Sequence, residues 1–326
     1  MVFITVVAGC TPNAISFNNN DDKKKNKDNQ LLLGLLVLSQ DQVITSYTGS
    51  MNNAQMGHTA TLLNNGKVLI VGNGVELYDP DTGIFSVVEE YSISSSVHSH
   101  ESVLLNNGKV LIAGGLDSAL GGNLILDAEL YDPDTGKFSS TGSLNVATTI
   151  DRGILLDNGK VLMSGTLELY DPDTGTFAKS SVERRYYALA LLNDGTILLH
   201  GLASLSDAKY QLFIYDPNTD TLLGTNQYTD TNYFNGVVKL NSGKIFLPGG
   251  TYQSGFGSDI VFDVHKNIEM YDPDKKRLSY IGKMKEPRIG HTVTVLKDGR
   301  VLITGGVSKN TYSSSEFLSS AEIYSP

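Results

Sequence analysis

Short apolar runs alternate with turn residues along most of this chain. Residues 62–71 consist of two leucines, then Asn-Asn-Gly-Lys, then four apolar residues. This predicts strand, tight turn and strand, because Asn and Gly accept the positive φ that a short hairpin needs. Residues 75–87 place Asp-Pro-Asp-Thr-Gly between two more apolar runs. Pro favours the first corner position of a turn, and Gly favours the left-handed conformation that ends it. The pattern therefore predicts two hairpins in succession.

This double hairpin occurs six times, and its two halves alternate strictly. The first half has a turn glycine at Gly66, Gly108, Gly159, Gly195, Gly243 and Gly299. The second half has a tyrosine at Tyr78, Tyr131, Tyr170, Tyr215, Tyr271 and Tyr324. Four strands make a small sheet that cannot cover its own faces, whereas six sheets stacked around an axis cover one another. The predicted fold class is all-β, a six-bladed β-propeller of four-stranded antiparallel blades.

The sixth copy of the repeat resembles the repeat of a known protein family. Residues 287–292 are Pro-Arg-Ile-Gly-His-Thr, and residues 297–306 are Lys-Asp-Gly-Arg-Val-Leu-Ile-Thr-Gly-Gly. These segments resemble the kelch repeat, as in the propeller of galactose oxidase, and the resemblance extends over 41–326. The copper–radical chemistry of galactose oxidase requires a Tyr cross-linked to a Cys. The only cysteine is Cys10, outside the repeats, so that activity is not expected.

The last repeat ends at a third strand, and residues 42–50 supply a candidate for the missing fourth. Met51 precedes His58 by the same spacing as Met284 precedes His291. Residues 42–50 therefore correspond to the outer strand of a blade. We expect this N-terminal strand to close the last blade, which removes a free sheet edge.

The N-terminal residues carry signals of export rather than of fold. Residues 1–10 form an apolar stretch ending in Val-Ala-Gly-Cys, which resembles a bacterial lipobox and predicts a truncated or atypical lipoprotein signal peptide with lipid on Cys10. Residues 11–40 predict a disordered polar tether with a short Leu-rich segment at 31–38. We expect a lipid-anchored monomer in the bacterial cell envelope, at the outer membrane, cell surface or periplasmic side.

The composition and the motif content argue against several classes of function. The chain has 25 basic and 35 acidic residues and a net charge of −10, without a basic cluster of the kind that phosphate contacts need. We therefore expect no nucleic-acid partner. One cysteine cannot form a disulfide within the chain. No P-loop, nucleophile elbow or His-Glu-x-x-His motif occurs, and we expect no cofactor.

Residues that recur in the repeat are interpreted as scaffold. A glutamate two positions before the tyrosine occurs as Glu76, Glu129, Glu168, Glu269 and Glu322. The Asp-x-Asp-x-Gly turns do not complete a calcium loop. Histidines at the start of the first strand are weak metal candidates, namely His58, His100 and His291. Hydrogen bonding between blades is the favoured interpretation of these histidines, and no metal is predicted.

Departures from the repeat are the best functional clue. Connections between second and third strands are long at 116–127, 202–209, 251–267 and 307–320, and long loops on a rigid scaffold usually bind. The ligand-binding candidates on this face are Arg184, Tyr186, Tyr233, Tyr252, Phe256, Asp259, Asp263, His265 and Tyr312. Tyr and Arg are favoured interface anchors.

Three functional hypotheses follow. The first is a membrane-anchored binding module for a protein or glycan ligand, adhesin-like or with an envelope role. The second is a carbohydrate-active propeller enzyme such as a sugar mutarotase, with no catalytic residues assigned because only fold analogy supports it. The third is a scaffold for envelope assembly.

Overall fold

The computed structural model describes residues 42–88, 99–117, 122–146, 152–163, 167–179, 187–202, 210–219, 221–228, 236–254, 261–311 and 314–326. Val43–Pro326 forms one compact unit. The predicted signal peptide with Cys10 and the predicted tether at 11–40 lie outside the described residues. Within those residues, no helix has the length and apolar character needed to cross a bilayer.

Six antiparallel sheets of four strands form the blades of a β-propeller. Blade one contains β2 (Thr59–Leu62), β3 (Val68–Gly72), β4 (Gly74–Asp79) and β5 (Ile84–Val87). Blade two contains β6 (Glu101–Leu104), β7 (Val110–Ala113), β8 (Ala128–Asp132) and β9 (Lys137–Ser140). Blade three contains β10 (Gly153–Leu155), β11 (Val161–Met163), β12 (Glu168–Asp171) and β13 (Thr176–Ala178).

The other three blades follow the same order along the chain, with one exception at the end. Blade four contains β14 (Tyr187–Leu191), β15 (Ile197–Leu202), β16 (Tyr210–Asp216) and β17 (Thr221–Tyr228). Blade five contains β18 (Val238–Lys239), β19 (Ile245–Pro248), β22 (Asn267–Asp272) and β23 (Arg277–Lys283). Blade six contains β24 (Thr292–Val295), β25 (Val301–Thr304), β28 (Ala321–Tyr324) and, as its outer strand, β1 (Thr45–Tyr47).

Both predicted hairpins are confirmed. In blade one, Leu62 pairs with Val68 and Tyr78 with Phe85. The first turn closes with Gly66 at φ 89°, and the second closes with Gly83 at φ 72°. These left-handed conformations suit glycine because it has no Cβ. We call the end of the propeller that carries these turns the turn face, and the opposite end, with the connections between second and third strands, the loop face.

The core lies between blades rather than within them. The second strand of each blade is mostly apolar, and β3, β7, β11, β19 and β25 are buried along their whole length. Val68 and Ile70 of blade one pack in one cluster with Leu302 and Ile323 of blade six. Each blade thus removes its neighbour's apolar face from water, which explains why one copy of the repeat would not be stable alone.

The predicted closure of blade six is confirmed. Strand β1 pairs antiparallel with β28, with Thr45 opposite Tyr324 and Tyr47 opposite Glu322. The hydroxyl of Thr45 also donates to the carboxylate of Glu322. An N-terminal strand therefore covers the edge that the last C-terminal strand would otherwise expose.

Two segments predicted as loops contain strands instead. The connections in blades five and six contain β20 (Thr251–Ser254), β21 (Val261–Val264), β26 (Val307–Thr311) and β27 (Ser314–Phe317). They form one further four-stranded sheet in the order β20-β21-β26-β27, here called the accessory sheet. Its central pair joins Phe262 to Asn310, far apart in sequence. No local pattern reveals such a pairing, because neither hairpin belongs to the repeat.

Candidate functional site

The loop face has a polar cavity of about 120 Å³ near the propeller axis. We call it the channel-mouth pocket. Its lining comes from the segments just before and within the first strands of five blades, at residues 57–60, 99–102, 152, 236 and 290–293. Equivalent positions of successive repeats thus converge here, and any residue that departs from the repeat at these positions changes the chemistry of one shared site.

Backbone hydrogen bonds connect three blades around this pocket. The amide of Ser99 donates to the carbonyl of Gly57 at 2.9 Å, and the amide of Gly57 donates to the carbonyl of Gly290 at 3.0 Å. All three residues have left-handed φ values, 54°, 65° and 67° respectively. Two are glycines, for which this conformation carries no Cβ penalty, whereas Ser99 adopts it against its preference. These hydrogen bonds therefore fix the backbone of the pocket rim at Gly57, Ser99 and Gly290, which we call the ring residues.

The three histidines of the repeat lie directly after these ring residues and are buried, with exposed fractions of 4% for His58, 2% for His100 and 3% for His291. The Nε2 atom of His58 lies 3.0 Å from the hydroxyl of Thr304 in blade six. That of His100 lies 3.1 Å from the hydroxyl of Thr59 in blade one. The hydrogen bonds between blades that we expected are thus present for His58 and His100.

The third histidine is held neutral. Burial, together with smaller effects of the nearby Arg288 and His58, lowers the pKa of His291 to about 3. At neutral pH its imidazole is therefore uncharged. Unlike those of His58 and His100, its side chain has no hydrogen bond of ordinary geometry between blades among the described residues. Across the described residues, no cluster of three or more His, Cys, Asp or Glu side chains has an arrangement that could hold a metal ion.

A charge pair that sequence reasoning missed lines the same pocket. Glu101 follows His100 and Arg152 follows Asp151, each one position after the start of its blade's first-strand segment. Burial lowers the pKa of Arg152, and the negative charge of Glu101 opposes that shift. The equivalent residues in blades one and six are Thr59 and Thr292. The signal available in the sequence was a charge in blades two and three, where the other repeats have a small uncharged residue.

The accessory sheet starts beside this pocket. Ile289, just before the pocket residues Gly290 and His291, exchanges backbone hydrogen bonds with Val307 at the start of β26. The amide of Gly250, which precedes β20, donates to the carbonyl of Arg288 at 3.1 Å. The His291 side of the pocket and the accessory sheet therefore share one backbone support.

The structure brings together three of the predicted ligand-binding residues. Tyr252 in β20 lies opposite Asp263 in β21, and the amide of His265 donates to the carbonyl of Gly250. Asp263 is exposed, and burial lowers the pKa of His265 while the charge of Asp263 raises it. The other predicted residues lie outside the described part of the chain, namely Arg184, Tyr186, Tyr233, Phe256, Asp259 and Tyr312.

The repeated glutamates have structural contacts in the blades where these are described. The carboxylate of Glu76 accepts hydrogen bonds from the amides of Asn52 and Asn53. Glu168 accepts from the amides of Asn145 and Val146 in the same way. Each carboxylate caps the segment arriving from the preceding blade, which explains its recurrence without catalysis.

Comparison with known proteins supports the fold alone. No protein-family profile matches this sequence. No curated protein matches it either. Among solved structures, the chain is similar to YjhT, with a TM-score of 0.65, 13% sequence identity, and coverage of 85% of this chain and 96% of YjhT. At this identity the likeness establishes a six-bladed β-propeller, and an activity does not follow from it.

Proposed function

We propose that this chain is a kelch-type, ligand-binding propeller and that its ligand is a glycan held on the loop face. The observation that carries the proposal is the recessed pair of Glu101 and Arg152 in the channel-mouth pocket. A carboxylate accepts hydrogen bonds and a guanidinium donates them in a fixed fork. Neighbouring hydroxyl groups of a sugar offer both donors and acceptors, so they match such a pair.

The size of the pocket determines how such a ligand would bind. A cavity of about 120 Å³ is below the usual range for a whole small-molecule ligand. It admits one edge of a terminal sugar, and the rest of the glycan then lies outside, against the accessory sheet with Tyr252 and Asp263. A protein ligand is the alternative, and it would cover the accessory sheet without needing the charge pair.

A binding screen with matched variants tests this proposal. The full chain is applied to immobilised glycans and to envelope and extracellular-matrix proteins, together with Glu101→Gln and Arg152→Gln. Arg300→Gln is the control, because Arg300 pairs with Asp298 at 2.6 Å on the turn face. We expect a specific glycan signal that both pocket variants reduce at least about tenfold and the control leaves unchanged.

A fourth variant separates the two ligand classes. Replacement of residues 251–264 by a short Gly-Ser linker removes β20 and β21 but leaves the pocket residues in place. Protein binding that depends on this hairpin and is indifferent to Glu101→Gln would replace the glycan proposal by the protein one. Binding indifferent to all three changes would contradict the assignment of the loop face.

One observation favours a second candidate, a carbohydrate-active enzyme such as a sugar mutarotase. The pocket is lined by the carboxylate of Glu101, which can accept a proton, and by the uncharged imidazole of His291. Exchange between sugar anomers, followed by NMR, tests this candidate. Loss of exchange in Glu101→Gln with retained sugar binding would support the enzyme, and unchanged exchange would remove Glu101 from it. Asp263→Asn and His265→Asn test the accessory sheet in the same assay.

We also propose that the protein acts as a monomer anchored through lipid on Cys10. The support is the lipobox-like sequence before Cys10 and the polar composition of residues 11–30. Fractionation of cells expressing the chain tests this, with Cys10→Ser as the comparison. Recovery of both proteins in the same membrane fraction would contradict lipid anchoring.

A further inference from the structure

The junction of blades four and five has an enlarged cleft on the turn face. Its volume is about 460 Å³, against about 270 Å³ between blades one and two and 250 Å³ between blades two and three. The cleft is lined by the first turn and outer strands of blade four and by the second turn of blade five. It lies at the opposite end of the propeller from the channel-mouth pocket.

Two other junctions are closed here by a threonine and two glycines. In the junction of blades two and three, the amide of Gly142 donates to the carbonyl of Gly175 at 2.9 Å. The hydroxyl of Thr141 lies 2.8 Å from that of Tyr170. A Cβ at Gly142 would lie 2.1 Å from the oxygen of Gly175, so only glycine permits this approach.

The junction of blades six and one repeats this arrangement. The hydroxyl of Thr48 lies 3.0 Å from that of Tyr78. A Cβ at Gly49 would lie 1.9 Å from the carbonyl oxygen of Gly83. The Thr-Gly pair on an outer strand and the turn glycine of the next blade therefore form a recurrent closure.

The closure differs between blades four and five. Its threonine is kept as Thr225 and donates to the carbonyl of Leu212 at 2.7 Å, whereas Asn226 stands in place of the glycine. Leu223 replaces a serine that occurs as Ser86, Ser139 and Ser279. Lys276 replaces the turn glycine while keeping a left-handed φ of 48°. Thr196 stands where Lys67, Lys109 and Lys160 stand in the first three blades, and all three of those lysines ion-pair with an aspartate of the second turn. Leu223, Lys276 and Thr196 all line the cleft.

The lining combines an apolar floor with a polar rim. Ile214 and Leu223 are directly opposite in the β16–β17 ladder, and Leu223 has an exposed fraction of 68%, the largest among the apolar side chains that the structure describes. The rim has the polar side chains of Asn193, Asp194 and Thr225. Hydrogen bonds from Thr196 lower the pKa of Asp194, which is therefore an ionised acceptor at neutral pH.

We propose that this cleft is a second ligand site, for a small neutral aromatic molecule that carries a hydroxyl group. The ring would cover Leu223 and Ile214, and the hydroxyl would donate to the rim. The volume falls within the range of small-molecule pockets. The lining carries two carboxylates, Asp194 and Asp274, and one ammonium, Lys276, so an anionic ligand is disfavoured and a hydroxyl donor is suited to the rim. The site is independent of the glycan proposal, because it lies on the turn face.

The test uses p-cresol as the probe and the full chain, followed by ligand-observed NMR. Leu223→Ser and Thr196→Lys restore the residues of the repeat, the first by removing the apolar contact and the second by placing a lysine on the rim. Leu124→Ser is the control, because Leu124 is also exposed, at 44%, but belongs to the second-to-third connection of blade two. We expect saturable binding that each restoring variant weakens at least about tenfold, with the melting temperature kept or raised, and that the control changes less than about twofold.

Three results would overturn the proposal. The first is equal affinity in Leu223→Ser and the wild type. The second is equal loss in Leu124→Ser, which would mean nonspecific contact with exposed leucines. The third is a wild-type signal that does not saturate at millimolar p-cresol. If Leu223→Ser fails to fold, Thr196→Lys decides the outcome because it changes only an exposed turn.

Discussion

Arg288 and Glu322 form an ion pair in which both side chains are fully removed from solvent. The Nε and Nη2 atoms of Arg288 lie 3.2 and 3.0 Å from Oε1 of Glu322. Nη1 of Arg288 also donates to the carbonyls of Gly305 and Ser320. One guanidinium thus connects the segment leaving blade five with two segments of blade six, next to the chain closure.

Removal of this guanidinium should be strongly destabilising. In Arg288→Met, Glu322 remains buried with its charge uncompensated, and two carbonyls lose their donor. We expect the free energy of unfolding to fall by about 3–5 kcal/mol, the usual cost of breaking a buried ion pair. Urea unfolding measures it. Lys160→Met is the control, because Lys160 and Asp171 pair at 3.0 Å on the surface and such pairs contribute about 1 kcal/mol or less. Similar losses in both variants would contradict the argument.

Ser99 should be a site where glycine stabilises the protein. Its φ of 54° is left-handed, and the ring residues Gly57 and Gly290 adopt the same conformation as glycines. Ser99→Gly relieves strain of about 1–2 kcal/mol but adds freedom to the unfolded chain, so we expect a net gain below about 1 kcal/mol. The opposite change, Gly57→Ser, should destabilise by a similar amount. Thermal unfolding of both variants checks the sign, and a loss in Ser99→Gly would show that its side chain outweighs the strain.

Local sequence patterns predicted the blades because nearly all of their strands are joined by short turns between residues that are close in sequence. The Asn-Gly and Asp-Pro-Asp-Thr-Gly turns specify their hairpins without help from the rest of the chain. The closure by β1 was also predictable, since Met51 and His58 keep the spacing of Met284 and His291. The accessory sheet was not predictable, because β21 and β26 pair at Phe262 and Asn310 without a shared motif.

The residues of the candidate site could be predicted from the sequence only in part, for a related reason. The sequence places His58, His100 and His291 at one repeat position, and they do reach one pocket. Glu101 and Arg152 escaped notice because each occurs once, and a single charge on a strand normally indicates a solvated face. Their interaction depends on neighbouring blades meeting at the axis, which is a property of the assembled ring.

Strand β1 should be necessary for a stable ring. Deletion of residues 1–50 exposes the edge of β28 and removes the contact of Thr45 with Glu322. We expect lower stability and concentration-dependent association, because an open strand edge pairs with other chains. Deletion of residues 1–41 is the matched control, since it keeps β1. Light scattering and urea unfolding compare the two, and equal behaviour would mean that β1 contributes no closure.

His291 should make the fold sensitive to acid. Its pKa is about 3 in the folded protein and about 6.5 in an unfolded chain, so the unfolded chain binds more protons between these values. Its contribution to stability is complete above about pH 6.5 and is lost progressively as the pH falls toward 3. In the unchanged protein this loss reaches about 4–5 kcal/mol at the acid end.

His291→Asn isolates this contribution from the carboxylates that titrate in the same range. Those groups are common to both proteins, so the difference in unfolding free energy between wild type and variant reports on His291 alone. We expect the wild-type advantage to be largest near pH 7 and to shrink as the pH is lowered to 4, measured by urea unfolding at half-unit steps. A difference that stays constant over this range would mean that His291 keeps an ordinary pKa in the folded protein.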